Sequence, residues 1–568
     1  PPPVEWSHEE LLETSSKRER DLTSELVHKL AKDNLLMVTW ANDNHFDFVM
    51  NWVKHLRKLK VTNYLVGAMD SVLLKRLLAL RVPTFHMHSG LSAADLGWGT
   101  AAFHRMGRAK VRLIESVLSL GVSVVVSDVD AVWLRDPSHF LLLRHPRADV
   151  LTSSDHLAST ARGEHALENP AMAASAFNIG IIFFRQSALA FVQHWHQLLR
   201  KDSTYWDQNA FNDLLKAGMA THRPAGDGLF HGYNGKLLVG ILPVGSFCSG
   251  HTFFVQRMPA RLGVKPYVAH ATFQFSGSVG KRHRFRESRL WYDDARYFSP
   301  ESQGFLSYSP YVPEDMLKQR LPPYPTHKDS HLVTAHFKLA NLQLTQLRSA
   351  LAMATTLNRT LVIPKFRCLL DRWWAPHRGR IPGADGPGLS PFVCPLDHVL
   401  DLEQMTEQKP EQDFGPHIYF REHSFLSRPE MKDAVQESRI AITVCRTGMK
   451  ACQANLHSPT RNTSQPVTTK HVYMMQGFSD LELMHTLRPY SDAKVIHFNS
   501  IRRQDFLGIS NEGAQVKFEN RIKKYTSLWC CKQAHPGHIW YDMMWDVKGH
   551  VDRHNRQWNG TWTPKTGP

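Results

Sequence analysis

The stretch Val122 to Pro137, VSVVVSDVDAVWLRDP, decides how this chain is read. Val124, Val125 and Val126 form a β-branched run that suits a buried parallel strand, and Asp128 and Asp130 follow at its carboxyl end. Open α/β sheets bind ligands at that end. If the backbone stays extended, alternate residues point the same way, so the pair offers two carboxylates to one hard cation. Such a cation keeps open positions for phosphate oxygens, which makes this a metal-diphosphate site. Two competing readings are a solvated acidic turn and a phosphatase with a nucleophilic Asp. The apolar surroundings Trp133 and Leu134 oppose the first. The second usually carries its motif on the first strand, whereas several strands precede this one.

Around this segment the pattern alternates strand and helix. Strands are expected at Leu35 to Trp40, Tyr64 to Gly67, Pro83 to Met87, Asp149 to Thr152, Ala176 to Phe184, Leu237 to Pro243 and Tyr267 to Phe273. Helices are expected through Leu59, at Ala101 to Leu120, at Ser187 to Arg200 and at Asp207 to Ala217. With 568 residues, about two to four domains are expected. Residues 1–30 read as a helical stem remnant, 31–300 as an α/β domain, and 301–330 as a Pro-rich linker. Residues 331–568 read as a second, smaller α/β domain opening with a strand at HLVTAHF, a helix, and a strand at TLVIP.

Hydrophobic content of 42% and charged content of 21% are those of a folded soluble protein. The formal charge of +16 suits anionic partners such as a nucleotide diphosphate, an acidic polysaccharide or anionic lipid. No nucleic-acid-binding signature accompanies it, so nucleic acid is not an expected partner. No stretch approaches the roughly 20 apolar residues of a membrane span, and an anchor removed ahead of Pro1 is compatible with the chain. Cys248 stands apart, while Cys368, Cys394, Cys445, Cys452, Cys530 and Cys531 cluster in the second half without CxxC spacing. Disulfides of unspecified connectivity are expected among those six. Sequons at Asn358, Asn462 and Asn559 are compatible with the same oxidising compartment.

With the DxD, the strings FNIGIIFFR (Phe177 to Arg185), YWDQNAFNDLL (Tyr205 to Leu215) and VAHATFQFSGSVGKRHRFRE (Val268 to Glu287) resemble nucleotide-sugar glycosyltransferases of the GT-A type. The match is near plant and algal glycosyltransferase family 77. LRSALAMATTLNRTLVIPKFRCLLDRWWAPHRGRIPG and PFVCPLDHV in the second half are similar to its extensin arabinosyltransferase branch. The resemblance implies a GT-A, Rossmann-like nucleotide-sugar-binding domain followed by the second α/β domain. It also implies a Golgi-lumen, type II membrane-anchored enzyme that moves L-arabinofuranose from a UDP donor to hydroxyproline-rich glycoprotein. Retention of configuration and Mn²⁺, with Mg²⁺ as the alternative, complete that expectation. Oligomeric state is left open.

By the same resemblance, Asp128, Asp130 and His270 are the expected metal ligands, and Lys281, after Gly277, the diphosphate clamp. Arg282, Arg284 and Arg286 read largely as a solvated basic face. Thr39, Asn42 and Asp70 stand where the fold cups uracil and ribose, and Arg105 and Lys110 are further donor candidates. Asp207 is the expected stabiliser of oxocarbenium-like charge, with a helix N-cap as its alternative, and Gln208 or Asn178 would orient sugar hydroxyls. Front-face return and double displacement both remain open. Trp373, Trp374 and His377 are candidates for acceptor binding. Xylosyl or galactosyl transfer and a catalytically silent glycan-binding protein are the alternative functions.

Overall fold

The computed structural model describes residues 21–91, 99–163, 165–174, 177–219, 224–318, 330–371, 391–447, 449, 452, 470–530 and 539–547. The chain divides into two compact units, the first comprising Pro1–Phe253 and Arg257–Thr272 and the second Phe254–Gln256 and Phe273–Pro568. The boundary therefore falls earlier than the expected 301–330 linker.

In the first unit the strands are β1 (Leu35–Ala41), β2 (Tyr64–Ala68), β3 (Thr84–His86), β4 (Ser123–Ser127), β5 (Ala131–Trp133), β6 (Val150–Ser154), β7 (Phe177–Phe184), β8 (Pro224–Gly226), β9 (Leu229–Gly232), β10 (Leu237–Ile241), β11 (Phe247–Cys248) and β12 (Val268–His270). The helices used below are α1 (Ser24–Leu30), α2 (Phe46–Lys58), α3 (Ser71–Ala79), α4 (Ala101–Ser119), α5 (Leu189–Lys201) and α6 (Asp207–Lys216). The main sheet has the order β3-β2-β1-β4-β7-β6-β10-β9-β8. β3, β2, β1 and β4 are parallel neighbours, whereas β7 runs antiparallel to both β4 and β6. This parallel start with helices on both faces is the expected α/β arrangement.

Alternation explains why the strands are apolar throughout. Val124 and Val126 enter one core with Leu36, Val38, Val111, Ile114 and Trp195. Val125 enters the other with Met37, Trp52, Val53 and Leu73. A strand covered on both faces has no solvent side on which to place polar residues. Of the expected stem, α1 is a seven-residue helix whose Val27 is buried in the first of these cores.

The second unit holds β13 (Phe305–Pro310), β14 (Thr360–Val362), β15 (Phe366–Cys368), β16 (Phe392–Cys394), β17 (Phe420–Arg421), β18 (Arg439–Cys445), β19 (Lys470–Met475) and β20 (Val495–Ile501). It also holds the helices α7 (Gly277–Glu287) and α8 (Ser330–Thr356). Its main sheet, ordered β17-β14-β13-β20-β18-β19, is parallel at every pairing. Two expectations are corrected here. Phe305 to Pro310 is a central strand of this sheet rather than linker, because GFLSY supplies a buried run before the prolines begin. HLVTAHF is the start of the 27-residue α8 rather than a strand. Leu332, His336, Ala340 and Leu344 recur every fourth residue on its buried face, and that helical period outweighs the local β propensity.

The second unit is not the smaller of the two, since it starts at Phe273. Four of the clustered cysteines pair, Cys368 with Cys394 across the β15–β16 hairpin and Cys445 with Cys452. Cys248 is buried and free.

Candidate active site

Asp128 lies one residue beyond β4, and the backbone there does not stay extended. It turns, with the Ala131 N–H donating to the Asp128 carbonyl at 3.1 Å. The two carboxylates converge because the chain bends back into β5, a different cause from the one expected. The turn is anchored on both sides. Asp128 N–H donates to the Gly180 carbonyl on β7 at 2.7 Å, and Ala271 N–H donates to the Asp130 carbonyl at 3.0 Å. Below it, the indole N–H groups of Trp52 and Trp133 both donate to Ser127 Oγ at 3.0 Å.

β5 pairs antiparallel with β12, placing Ala131 opposite His270. That register brings a histidine 140 residues away beside the aspartates. His270 Nε2 is 3.2 Å from Asp130 Oδ1 and 3.5 Å from Asp128 Oδ2. The candidate ligand atoms of Asp128, Asp130 and His270 all lie within 4.8 Å of one another. The side chains of Asp130 and His270 are 11% and 7% exposed and that of Asp128 33%, so the cluster is walled on one side and open at Asp128. Two carboxylates and an imidazole could hold a divalent cation, and the open side leaves room for diphosphate oxygens.

Lys110 reaches in from α4. Its buried ammonium donates to the Ile179 carbonyl at 2.7 Å, sits 3.5 Å from Asp128 Oδ1 and lies 4.8 Å from the centroid of the Trp40 ring. Arg105, its partner in expectation, is exposed and lines a separate cavity on another face of the same helix. The structure thus divides the two donor candidates.

Asp207 is the first residue of α6, and Trp206 rather than Asp207 occupies the N-cap position. Its carboxylate accepts from the N–H of Gln208 at 2.9 Å, and its carbonyl accepts from the Trp195 indole at 3.0 Å. Burial pushes the Asp207 pKa up, while the Lys110 charge opposes that shift. The helix comes this close because α4 has Gly107 there: a Cβ at that position would stand 2.8 Å from Asp207 Cγ. Gln208 Oε1 accepts from the Ile179 N–H at 3.4 Å, leaving its amide N–H groups available.

Asn178 is differently engaged from what was expected. Its side-chain Oδ1 accepts from Gly180 N–H at 2.9 Å, and its side-chain amide donates to Asp155 Oδ1 at 3.1 Å. It therefore positions Asp155, a carboxylate that sequence reading missed. Burial raises the Asp155 pKa, against the Asn178 hydrogen bond and the charge of His270. The available signal was its place one residue beyond the buried run of β6, the same kind of position as Asp128.

On the nucleotide side, Thr39 and Asn42 are buried. The Thr39 hydroxyl has no hydrogen-bond partner among the described residues. Asp70 is committed to the fold: one oxygen accepts from Val72 and Leu73 N–H at 2.9 Å each, the other from Asp43 N–H at 2.7 Å. It caps α3, a structural role beside the ribose contact expected of it.

Lys281 lies on α7 in the second unit. Its neighbours are not a solvated face. Arg284 Nε lies 3.0 Å from both Asp397 oxygens with both side chains fully buried, and Arg286 pairs with Asp293 at 2.6 Å. Trp373, Trp374 and His377 lie outside the described residues.

A carboxylate pair after a buried strand, a histidine brought in by β5–β12 pairing, and a lysine and a buried acid beside them are the groups gathered at this candidate site. Residues 59–285 match the family model for nucleotide-diphospho-sugar transferases. The chain is 42% identical over 531 residues to arabinosyltransferase XEG113 of Arabidopsis thaliana, covering 93% of this chain and 79% of that one. It is 32% identical over 144 residues to the β-arabinofuranosyltransferase RAY1 of the same plant, covering 25% of this chain and 27% of the relative. Among solved structures, the galactosyltransferase LgtC with donor and acceptor sugar analogues aligns with a TM-score of 0.28 and 11% identity, over 46% of this chain and 98% of that one. The chain is a glycosyltransferase and belongs to glycosyltransferase family 77, among the arabinosyltransferases.

Proposed function

We propose that this enzyme transfers L-arabinofuranose from UDP-arabinofuranose to hydroxyproline-linked arabinosides of extensin-type glycoproteins, with retention of configuration and with Mn²⁺ as the bound cation. The observation that supports this reading best is the convergence of Asp128, Asp130 and His270 beside Lys110 and the buried Asp207. Mg²⁺ is the alternative cation. The arabinosyltransferase activities of the two Arabidopsis relatives support arabinose as the transferred sugar. Golgi residence through an anchor outside this chain fits the expected acceptor. Among the described residues no helix is long and apolar enough to cross a membrane.

Asp128, Asp130 and His270 would hold the cation, which when bound supplies positive charge to the diphosphate oxygens. Lys110 adds a fixed cation next to Asp128, where negative charge grows on the departing diphosphate. It holds that position through its bond to the Ile179 carbonyl, so little reorganisation is needed at the moment of transfer. Asp207, ionised, offers compensating negative charge to the sugar as its anomeric carbon becomes cationic. The N–H groups of Gln208 and the carboxylate of Asp155 are available to sugar hydroxyls. Thr39 and Asn42 are the nucleoside-side candidates, and Lys281 remains the proposed clamp on the diphosphate. Trp373, Trp374 and His377 remain proposed acceptor contacts.

The test is a panel of UDP-arabinofuranose, UDP-xylose and UDP-galactose offered with short hydroxyproline arabinosides, with and without Mn²⁺. Product is expected from UDP-arabinofuranose with Mn²⁺. Preference for another sugar, or equal transfer after chelation, contradicts the proposal.

A further inference from the structure

α4 carries two sets of basic residues that face different ways. Lys110 points to Asp128, whereas Arg108 and Arg112 are each about 200° from it round the helix and Arg105 roughly 140°. Arg105, Arg108 and Arg112, with Arg200 from α5, line an open cavity of about 720 Å³ on that other face. Phe85 and Leu113, both buried, contribute apolar surface to it. Among the described residues Asp21 is the one acidic side chain lining it, and it is paired with His88 at 2.6 Å. Glu115 lies 2.5 Å from His196. Arg105, Arg112 and Arg200 are exposed and have no ion pair among the described residues. Arg108 donates to the Ser203 carbonyl at 2.8 Å.

Unpaired guanidinium groups gathered in one concavity raise the local concentration of anions. Arg105 and Arg112 are separated by about 10 Å along the helix axis. An anion with charges repeated along a chain engages both, each carboxylate meeting one planar guanidinium fork. The apolar surface that Phe85 and Leu113 add to the cavity suits the faces of sugar rings. We propose that this cavity binds an acidic oligosaccharide, its uronate carboxylates held by Arg105, Arg112 and Arg200. The inference is independent of the transfer reaction.

Calorimetric titration of the whole protein with a short oligouronate tests it. A neutral oligosaccharide of equal length, inorganic pyrophosphate and oligoglutamate serve as comparators. Oligouronate is expected to bind more tightly than all three. The triple variant Arg105→Gln, Arg112→Gln, Arg200→Gln should weaken that binding tenfold or more. The charge-matched control Lys58→Gln, Lys75→Gln, Lys432→Gln, at exposed positions elsewhere, should change it less than threefold. Absence of oligouronate binding, equal losses in both triples, or tighter binding of pyrophosphate or oligoglutamate overturns the proposal. Melting curves of both triples confirm that each is folded.

Discussion

His270 occupies space that Gly180 leaves empty. A Cβ built on Gly180 would stand 2.2 Å from His270 Cε1 and 2.7 Å from Asp128 Oδ2. The β7 backbone thus lies directly against the cluster, and any side chain there displaces a ligand. Gly180→Ala is expected to weaken Mn²⁺ binding by about 10- to 100-fold, the scale of supporting-shell disruptions. Equilibrium binding of Mn²⁺ to the variant is the check; unchanged affinity would mean that His270 is not a ligand.

Asp207→Asn separates catalytic charge from structure. The carboxylate is buried, and the amide fills the same space next to Gly107 without a charge to desolvate. Turnover is expected to fall by about 10²- to 10³-fold, the range for removing one preorganised charge partner. The melting temperature should not decrease. Because burial raises the Asp207 pKa, wild-type kcat should also climb with pH on its acid limb and that limb should vanish in the variant. Turnover within threefold of wild type would remove Asp207 from the mechanism.

Acid should weaken the second unit through His336. Its Nδ1 accepts from Leu369 and Leu370 N–H at 3.3 and 3.2 Å, and its Nε2 lies 2.8 Å from the Tyr541 hydroxyl. Burial lowers its pKa from 6.5 to about 3, so the folded state holds the ring neutral. This contribution is complete above pH 6.5 and is lost as pH falls toward about 3. One proton sets a limiting slope of about 1.4 kcal/mol per pH unit. Urea midpoints from pH 7 to pH 4 should therefore fall less steeply in His336→Gln than in wild type. Identical slopes would contradict the linkage.

The Cys368–Cys394 bond, with a sequence separation of 26, closes a longer loop than Cys445–Cys452, with a separation of 7. Loop-closure entropy assigns the longer one about 3–4 kcal/mol. The Cys368→Ser, Cys394→Ser double variant should lose more stability than Cys445→Ser, Cys452→Ser, measured by denaturant unfolding. The reverse order would place the stabilisation elsewhere.

The sequence showed the strand before Asp128, the helix bearing Lys110 and the helix opened by Asp207, because apolar period and strand-end acids are local signals. It did not show the turn from Asp128 to Ala131, since a tight turn and two further extended residues share the same letters. The hydrogen bonds of Asp70 to nearby backbone and of Asn178 to Asp155 were not legible, because they depend on partners brought together by folding. Asp155 and Gly180 were invisible for the same reason, as their meaning arises from β6, β7 and β12 converging. The second unit was harder: in HLVTAHF seven residues support either element, and the period emerges only over the full length of α8. Paired Arg284 and Asp397 are 113 residues apart, beyond any local pattern.

Mn²⁺ binding measured by electron paramagnetic resonance in the presence of UDP, on wild type and on Asp130→Ala, tests the central claim most directly. One tightly bound ion per chain in wild type, lost in Asp130→Ala while the circular dichroism stays unchanged, is the predicted result. An ion held with equal affinity by both proteins would contradict it.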